Sequence, residues 1–173
     1  RYNRGVLVIR LSLSFLLSLG VLCALDLRQA VIVVGANASK PQLKAAAMMA
    51  EEVEKRTQIR LKTSTVADGS AITLKLDPAV ASAEGFSIAA DARGVTVTGH
   101  DDRGVVFGAG YLLRQLRMGR QRLELADGFR VTTSPKVAVR GHQLGYRPKT
   151  NSYDAWTVAM WEQYIRELAI FGT

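Results

Sequence analysis

The sequence is poor in cysteine, proline and aromatic residues: of its 173 residues one is cysteine, four are proline and 7% are aromatic. The single cysteine, Cys23, excludes a disulfide framework and a metal site built from thiolates. The glycines at 104, 108 and 110 are not followed by a Lys-Ser or Lys-Thr pair, which excludes a phosphate-binding P-loop there. With 48% hydrophobic and 22% charged residues, stability must come from an ordinary apolar core.

An excess of charge strong enough for nucleic-acid binding is also missing. The formal net charge is +8, but beyond residue 30 only 19 basic residues face 14 acidic ones. The densest basic cluster has no interleaved aromatic residues that could stack on bases, and it comprises Arg114, Arg117, Arg120 and Arg122. We therefore expect no nucleic-acid partner.

The amino-terminal segment has the pattern of an export signal. Three arginines flank or precede an uncharged apolar run over residues 11–25, and this combination is typical of secretory signal peptides. Residues 1–29 are predicted to be a signal peptide or, alternatively, an uncleaved anchor, which would be the only membrane contact. Leu22 before Cys23 argues against lipidation. The expected location is periplasmic or extracellular, and the chain, which starts at Arg1, is expected to be part of a longer protein.

Residues 30–100 alternate between strand and helix patterns. The apolar run at 30–34 predicts a buried strand, and Ser39 with Gln42 forms a capping-box spacing that predicts a helix start. That helix is predicted to bury Leu43, Ala46, Ala47, Ala50 and Val53, with Glu51/Lys55 and Glu52/Arg56 outside. Further strands are predicted at 58–66, 71–76, 84–91 and 94–100, the last two joined as a hairpin.

The stretch DDRGVVFGAGYLLRQL, residues 101–116, predicts a helix capped by Asp101 or Asp102. Each interior glycine costs a helix about 1 kcal/mol relative to alanine, so close packing against a sheet is expected to offset the loss. Strands at 122–125 and 129–133 are predicted to form a hairpin or edge pair. A new strand is predicted to begin at 137–146 and a helix at 155–170, which would bury Val158, Trp161, Ile165 and Leu168 and end at Gly172.

This order of elements resembles the amino-terminal region of secreted glycoside hydrolases of the β-N-acetylhexosaminidase and α-glucuronidase type. The stretch GVTVTGHDDRGVVFGAGYLLRQL is similar to the last hairpin and helix of their small α+β domain, and SPKVAVRGHQLGY to their first barrel strand. The resemblance implies an α+β fold with a small mixed sheet and two packed helices over residues 30–136. Residues 137–173 would start a truncated (β/α)₈ catalytic barrel.

The resemblance also implies the function: the amino-terminal part of an exported enzyme that hydrolyses glycosidic bonds in carbohydrate chains. The catalytic acids of such enzymes come from later barrel strands, so they are not named here, and the 173-residue chain is expected to be inactive alone. Its partners would be a carbohydrate substrate and its own downstream barrel, with no cofactor. Two alternatives stay open: an exported module that binds carbohydrate or serves as a scaffold without catalysis, and, less favoured, a nucleotide-binding protein.

Four residues are candidates for binding substrate. The Arg140-Gly141 pair matches the family's first strand, whose arginine hydrogen-bonds sugar hydroxyls, although Gly145 stands where hexosaminidases have an aspartate. His142, Tyr146 and Arg147 follow in the strand and loop that would face the barrel mouth. A metal site is not expected, because His100, Asp101 and Asp102 are consecutive and helix capping accounts for the aspartates.

Overall fold

The computed structural model describes residues 24–143 and 155–172. Within them the strands are β1 (Ala24–Asp26), β2 (Val31–Val34), β3 (Lys62–Ser64), β4 (Ala71–Leu76), β5 (Phe86–Asp91), β6 (Gly94–Gly99), β7 (Arg117–Gly119), β8 (Arg122–Ala126) and β9 (Arg130–Thr133). The helices of this described part are α1 (Lys40–Thr57), α2 (Asp102–Gln115) and α3 (Val158–Phe171). The predicted α+β class with a mixed sheet is confirmed.

The main sheet has six strands in the order β3-β2-β4-β6-β5-β9. The first four are parallel to one another, and β5 and β9 extend the sheet antiparallel. Helices α1 and α2 pack on this sheet and on each other. The core lies between them and the sheet, where Ile32, Ile72, Ile88 and Val97 are fully buried.

Helix α1 begins as predicted, but its buried face is only partly the predicted one. Ser39 and Gln42 exchange side-chain hydrogen bonds with each other's backbone N–H, which completes the capping box. Ala46 and Val53 are buried as predicted, whereas Leu43 is 49% exposed and Glu52 is buried rather than external. The face is rotated because apolar residues surround almost the whole helix between 43 and 50, so their spacing leaves its rotation undetermined.

Strands β8 and β9 do not pair with each other, so the predicted hairpin or edge pair is wrong. β9 joins β5 at one edge of the main sheet. β8 lies between β1 and β7 in a second, three-stranded antiparallel sheet. Leu27, fully buried directly after β1, shows that residues 24–29 belong to the folded domain, although the sequence pattern placed them with the amino-terminal segment. Both β1 and β7 have three residues, too few for a periodicity signal.

Residues 137–143 form no strand, which differs from the expected strand over 137–146. A strand requires a neighbour that accepts and donates its backbone hydrogen bonds, and no described strand lies beside this segment. Helix α3 does form and ends at Gly172, whose φ of 78° is left-handed as expected for a carboxyl-terminal glycine. Its amino end is capped by the side chain of Thr157, which accepts from the N–H of Met160.

Helix α3 attaches through a face other than the predicted one. Val158 and Ile165 are 76% and 61% exposed, and the one residue of the helix that is buried is Ile170. The described residues contain no helix long and apolar enough to cross a membrane.

Candidate functional site

Arg140 is held by groups from four parts of the molecule. Its Nε donates to the carbonyl of Gly172 at 3.1 Å and its Nη1 to the carbonyl of Val137 at 2.9 Å. Its Nη2 forms an ion pair with Glu84, and the guanidinium lies 5.6 Å from the ring centre of Phe107. The side chain is 23% exposed. Arg140 therefore joins residues 137–143, α2, α3 and the loop before β5.

Glu84 forms ion pairs with both Arg140 and Arg103. Hydrogen bonds from Arg140 first, and from Arg103 second, hold the pKa of the Glu84 carboxyl below its ordinary value. The backbone of Glu84 has a φ of 61°, and that of Ala81 a φ of 54°. Such left-handed non-glycine residues cost free energy and persist only where the surroundings impose them. The loop over 77–85 thus presents Glu84 toward two arginines.

Asp101 caps the amino end of α2 and also holds the backbone of the 77–85 loop at Glu84. Its Oδ1 accepts from the N–H of Gly104 and its Oδ2 from the N–H of Glu84, both at 2.8 Å. Burial opposes ionisation, but these two backbone donors, together with His100 and the N–H of Arg103, outweigh it and lower the pKa of Asp101. A catalytic acid in a glycosidase needs a raised pKa, so the shifts of Asp101 and Glu84 run in the wrong direction for that role.

His142 belongs to an aromatic cluster on α3 and does not contact Arg140. Its Nδ1 is hydrogen-bonded to the hydroxyl of Tyr164, and the two rings meet edge to face at 5.7 Å. Trp156 and Trp161 complete this cluster, with ring centres 5.0 Å apart. Trp161 is half-buried within it. Tyr146 and Arg147 lie outside the described residues.

The three glycines of α2 were predicted to pack close to a sheet, and two of them do so. A Cβ on Gly104 would lie 2.2 Å from the carbonyl oxygen of Gly85, and one on Gly108 would lie 2.6 Å from the side chain of Val97 in β6. Gly110 differs: its missing Cβ would meet the backbone of Ile170, 2.6 Å from the Cα. This third glycine faces α3 rather than the sheet.

The residues that sequence reasoning missed are Glu84 and Arg114. Arg114 donates from Nη1 to the carbonyl of Ile170 and lies between two aromatic rings, 5.2 Å from Tyr111 and 5.0 Å from Phe171. Burial lowers the pKa of its guanidinium. Neither residue belongs to a motif, because each bonds to a residue 56 positions away in the sequence, Arg114 to Ile170 and Glu84 to Arg140. The described residues hold no group of histidine, cysteine and acidic side chains that could bind a metal.

Comparison with known families identifies the region. The profile of glycosyl hydrolase family 20, domain 2, matches residues 23–140. A search among curated proteins gives no significant match. Among solved structures, the chain is similar to a family 20 exo-β-N-acetylglucosaminidase from Vibrio harveyi, with 18% identity over 86% of this chain and 21% of that one, at a TM-score of 0.67.

Two further structures share the fold. The family 20 β-N-acetylhexosaminidase from Streptomyces coelicolor is 21% identical over 67% of this chain and 24% of its own, with a TM-score of 0.58. A family 115 4-O-methyl-α-glucuronidase with specificity for decorated arabinogalactans is 15% identical over 87% of this chain and 25% of its own, with a TM-score of 0.64.

The chain spans 21–25% of the length of these three structures. At such identities they establish the shared fold, whereas the profile match, which extends over more than half of the chain, establishes the family. The chain belongs to glycosyl hydrolase family 20, of which it carries domain 2.

Proposed function

We propose that this chain is the amino-terminal part of an exported glycoside hydrolase that acts on carbohydrate chains. Domain 2 would be followed, from residue 137, by the first strand and helix of a (β/α)₈ catalytic barrel. The observation that carries the proposal is the family 20 match over residues 23–140. The match ends shortly after β9, the last strand of the main sheet, which ends at Thr133. The arginines before residues 11–25 support export.

The surface formed by residues 137–143 and α3 supports a barrel on that side of the molecule. Val137 and Val139 are 60% and 87% exposed, and the side chains of Val158 and Ile165 in α3 are exposed to a similar extent. Large apolar side chains that recur on one segment and one helix face are typical of a surface covered by further chain. In a barrel, residues 137–143 would gain the neighbouring strands that they lack among the described residues.

Terminal N-acetylhexosamine is the substrate class that we favour, because the Vibrio and Streptomyces structures that share the fold are named as an exo-β-N-acetylglucosaminidase and a β-N-acetylhexosaminidase. The family 115 structure supports a second class, the uronic acids. In the proposed substrate site, Arg140, His142, Tyr146 and Arg147 would contact sugar, and Arg147 would favour an acidic one. Arg140 retains two N–H groups beyond its three bonds.

The test compares this chain with a longer product of the same gene that extends past Thr173. We expect the longer product to hydrolyse an aryl N-acetyl-β-glucosaminide faster than an aryl glucuronide, and the 173-residue chain to hydrolyse neither. The reverse preference would support the uronic-acid class. Turnover by the 173-residue chain, or failure of a folded longer product on both substrates, would contradict the proposal. Binding of an oligosaccharide without turnover by either product would instead favour the non-catalytic module.

A further inference from the structure

The carboxyl end of α3 lies in a site formed by residues outside that helix. We define the clasp as Gly110, Arg114, Arg140 and Glu84. Helix α3 has no basic residue in its last turn, although a helix carboxyl end carries partial negative charge and unpaired carbonyl groups. Arg114 binds the carbonyl of Ile170 and Arg140 binds that of Gly172, so both cations come from elsewhere in the chain.

Backbone shape adds to this charge match. The Cα of Ile170 is close enough to α2 that a Cβ on Gly110 would lie 2.6 Å from it and 2.7 Å from the Ile170 carbonyl oxygen. Only glycine leaves this space, because backbone cannot withdraw as the end of a flexible side chain can. Ile170 itself is 6% exposed, which makes it the anchor of the helix.

The closest backbone packing of α3 is at this end. Toward its middle, α3 leaves a cavity of about 340 Å³ against α1 and α2, and it is held there by ion pairs of Arg166 with Glu51 and Glu52 of α1. Val158 and Met160 at the amino end are 76% and 48% exposed. The last turn is therefore where close backbone packing and hydrogen bonds to helix carbonyls come together.

Glu84 fixes one of the two cations. Its left-handed backbone, held by the carboxylate of Asp101, directs the side chain to Arg140. Glu84 is itself only 18% exposed, so the ion pair is partly withdrawn from water. Arg114 is fixed differently, between the rings of Tyr111 and Phe171. Glu84 thus orients Arg140 from outside α3, whereas Arg114 is oriented by Tyr111 of α2 together with Phe171 of α3 itself.

We propose that domain 2 acts as an intramolecular docking module: its clasp captures the carboxyl end of α3 and sets the path of the chain that follows. The proposal rests on the proposed function only where α3 is called the first barrel helix. In that case the domain positions the start of the catalytic barrel. The capture of α3 itself is a property of the 173-residue chain and is testable without any substrate.

Tryptophan fluorescence reports this docking selectively. The chain has two tryptophans, Trp156 and Trp161, and both lie on or beside α3. In the 173-residue chain we expect the fluorescence transition on heating to coincide with loss of hydrogen-exchange protection in α1. Gly110→Ala should lower the midpoint of the fluorescence transition by about 5 °C. Protection of α1 should be kept, because alanine favours the α2 helix itself.

Arg114→Met, which keeps an apolar stem but removes the guanidinium, should lower the same midpoint by about 3 °C.

The matched glycine control is Gly119→Ala, since a Cβ there would meet only the side chain of Arg122 at an ordinary 3.8 Å. The matched charge control is Arg103→Gln, which removes the other partner of Glu84 without touching α3. An unchanged midpoint in Gly110→Ala, or an equal fall in Gly119→Ala, would overturn the proposal. No outcome depends on glycosidase activity, so the two proposals can fail separately.

Discussion

At the scale of single residues, two kinds of position determine how the helices pack. One is glycines that leave room for neighbouring backbone, and the other is charged side chains held in ion pairs and hydrogen bonds. Gly104 allows α2 to approach the carbonyl of Gly85, and Gly110 allows α3 to approach α2. Spacing in the sequence predicted that the glycines pack, but not what each would face. The partner of Gly110 is unpredictable because it comes from a helix more than 40 residues further along the chain.

The first prediction concerns Gly104. Gly104→Ala should lower the free energy of unfolding by about 2 kcal/mol, because the added Cβ would overlap a backbone oxygen and this outweighs the gain of about 1 kcal/mol in helix propensity. Urea denaturation at an unchanged m-value measures it. The control is Gly35→Ala, where a Cβ meets nothing within 4 Å, and where we expect a change within about 0.5 kcal/mol. A variant at 104 as stable as this control would refute the packing role.

Arg140 shows that a short sequence pattern does not determine which groups a side chain contacts. The resemblance implied a contact with sugar hydroxyls, and the family profile ends at this arginine. In the structure the guanidinium binds Glu84 and two backbone carbonyls. No spacing rule connects residues 84 and 140, so the ion pair could not be predicted, and the sugar contact stays a prediction.

At the scale of elements, local signals were reliable and pairing between distant strands was not. The capping box of α1, the β5–β6 hairpin and the α2 cap all form as predicted, because each depends on residues within a few positions of one another. The partners of β8 and β9 could not be inferred, since short strands carry little periodicity and pairing depends on which edges are free.

The cap of α2 provides a prediction at this scale. Asp101→Asn should cost about 1–2 kcal/mol at pH 7, because the amide oxygen can still accept from Gly104 while the amide nitrogen faces the N–H of Glu84. The folded-state pKa of Asp101 is lowered, so its stabilisation is complete above the unfolded pKa of about 4. It is lost as the pH falls through the folded-state pKa.

The difference in stability between wild type and Asp101→Asn should therefore shrink below about pH 4, which urea denaturation at several pH values would measure. Asp77→Asn is the control, because Asp77 accepts one backbone N–H, that of Ala79, on an exposed turn. A difference that stays constant down to pH 2 would show that charge at Asp101 is not what stabilises the cap.

At the scale of the whole molecule, charged side chains connect α3 to the layer of α1 and α2. Glu52 of α1 is buried, pairs with Arg56 on its own helix and lies 3.5 Å from Arg166 of α3. Burial opposes ionisation of Glu52, yet hydrogen bonds from Arg56 lower its pKa. Arg166 also pairs with Glu51. A buried carboxylate with cationic partners on two helices fixes how one helix lies on the other, because loss of either partner weakens the compensation of a charge inside the structure.

Glu52→Gln should lower the free energy of unfolding by about 2–3 kcal/mol, since the two arginines lose a charged partner inside the structure. Glu54→Gln on the same helix is the matched control. Its pair with Arg60 has exposed fractions of 46% and 85%, and exposed pairs contribute between zero and about 1 kcal/mol. Chemical denaturation of both variants at pH 7 compares them directly. Equal losses in the two would mean that burial gives the Glu52 pair no added value.

The sequence by itself determined the α+β class, the helix starts, the hairpin and the resemblance to glycoside hydrolases, because these rest on short-range periodicity, caps and turns. Tertiary structure alone decided which face of α1 is buried, which strands pair with β8 and β9, and that Arg114 and Arg140 both serve the end of α3. Those outcomes depend on contacts between distant parts of the chain: 56 positions separate Arg114 from Ile170, and the paired strands β1 and β8 are further apart still. Such contacts are selected by the packing of whole layers, which leaves no mark in local spacing.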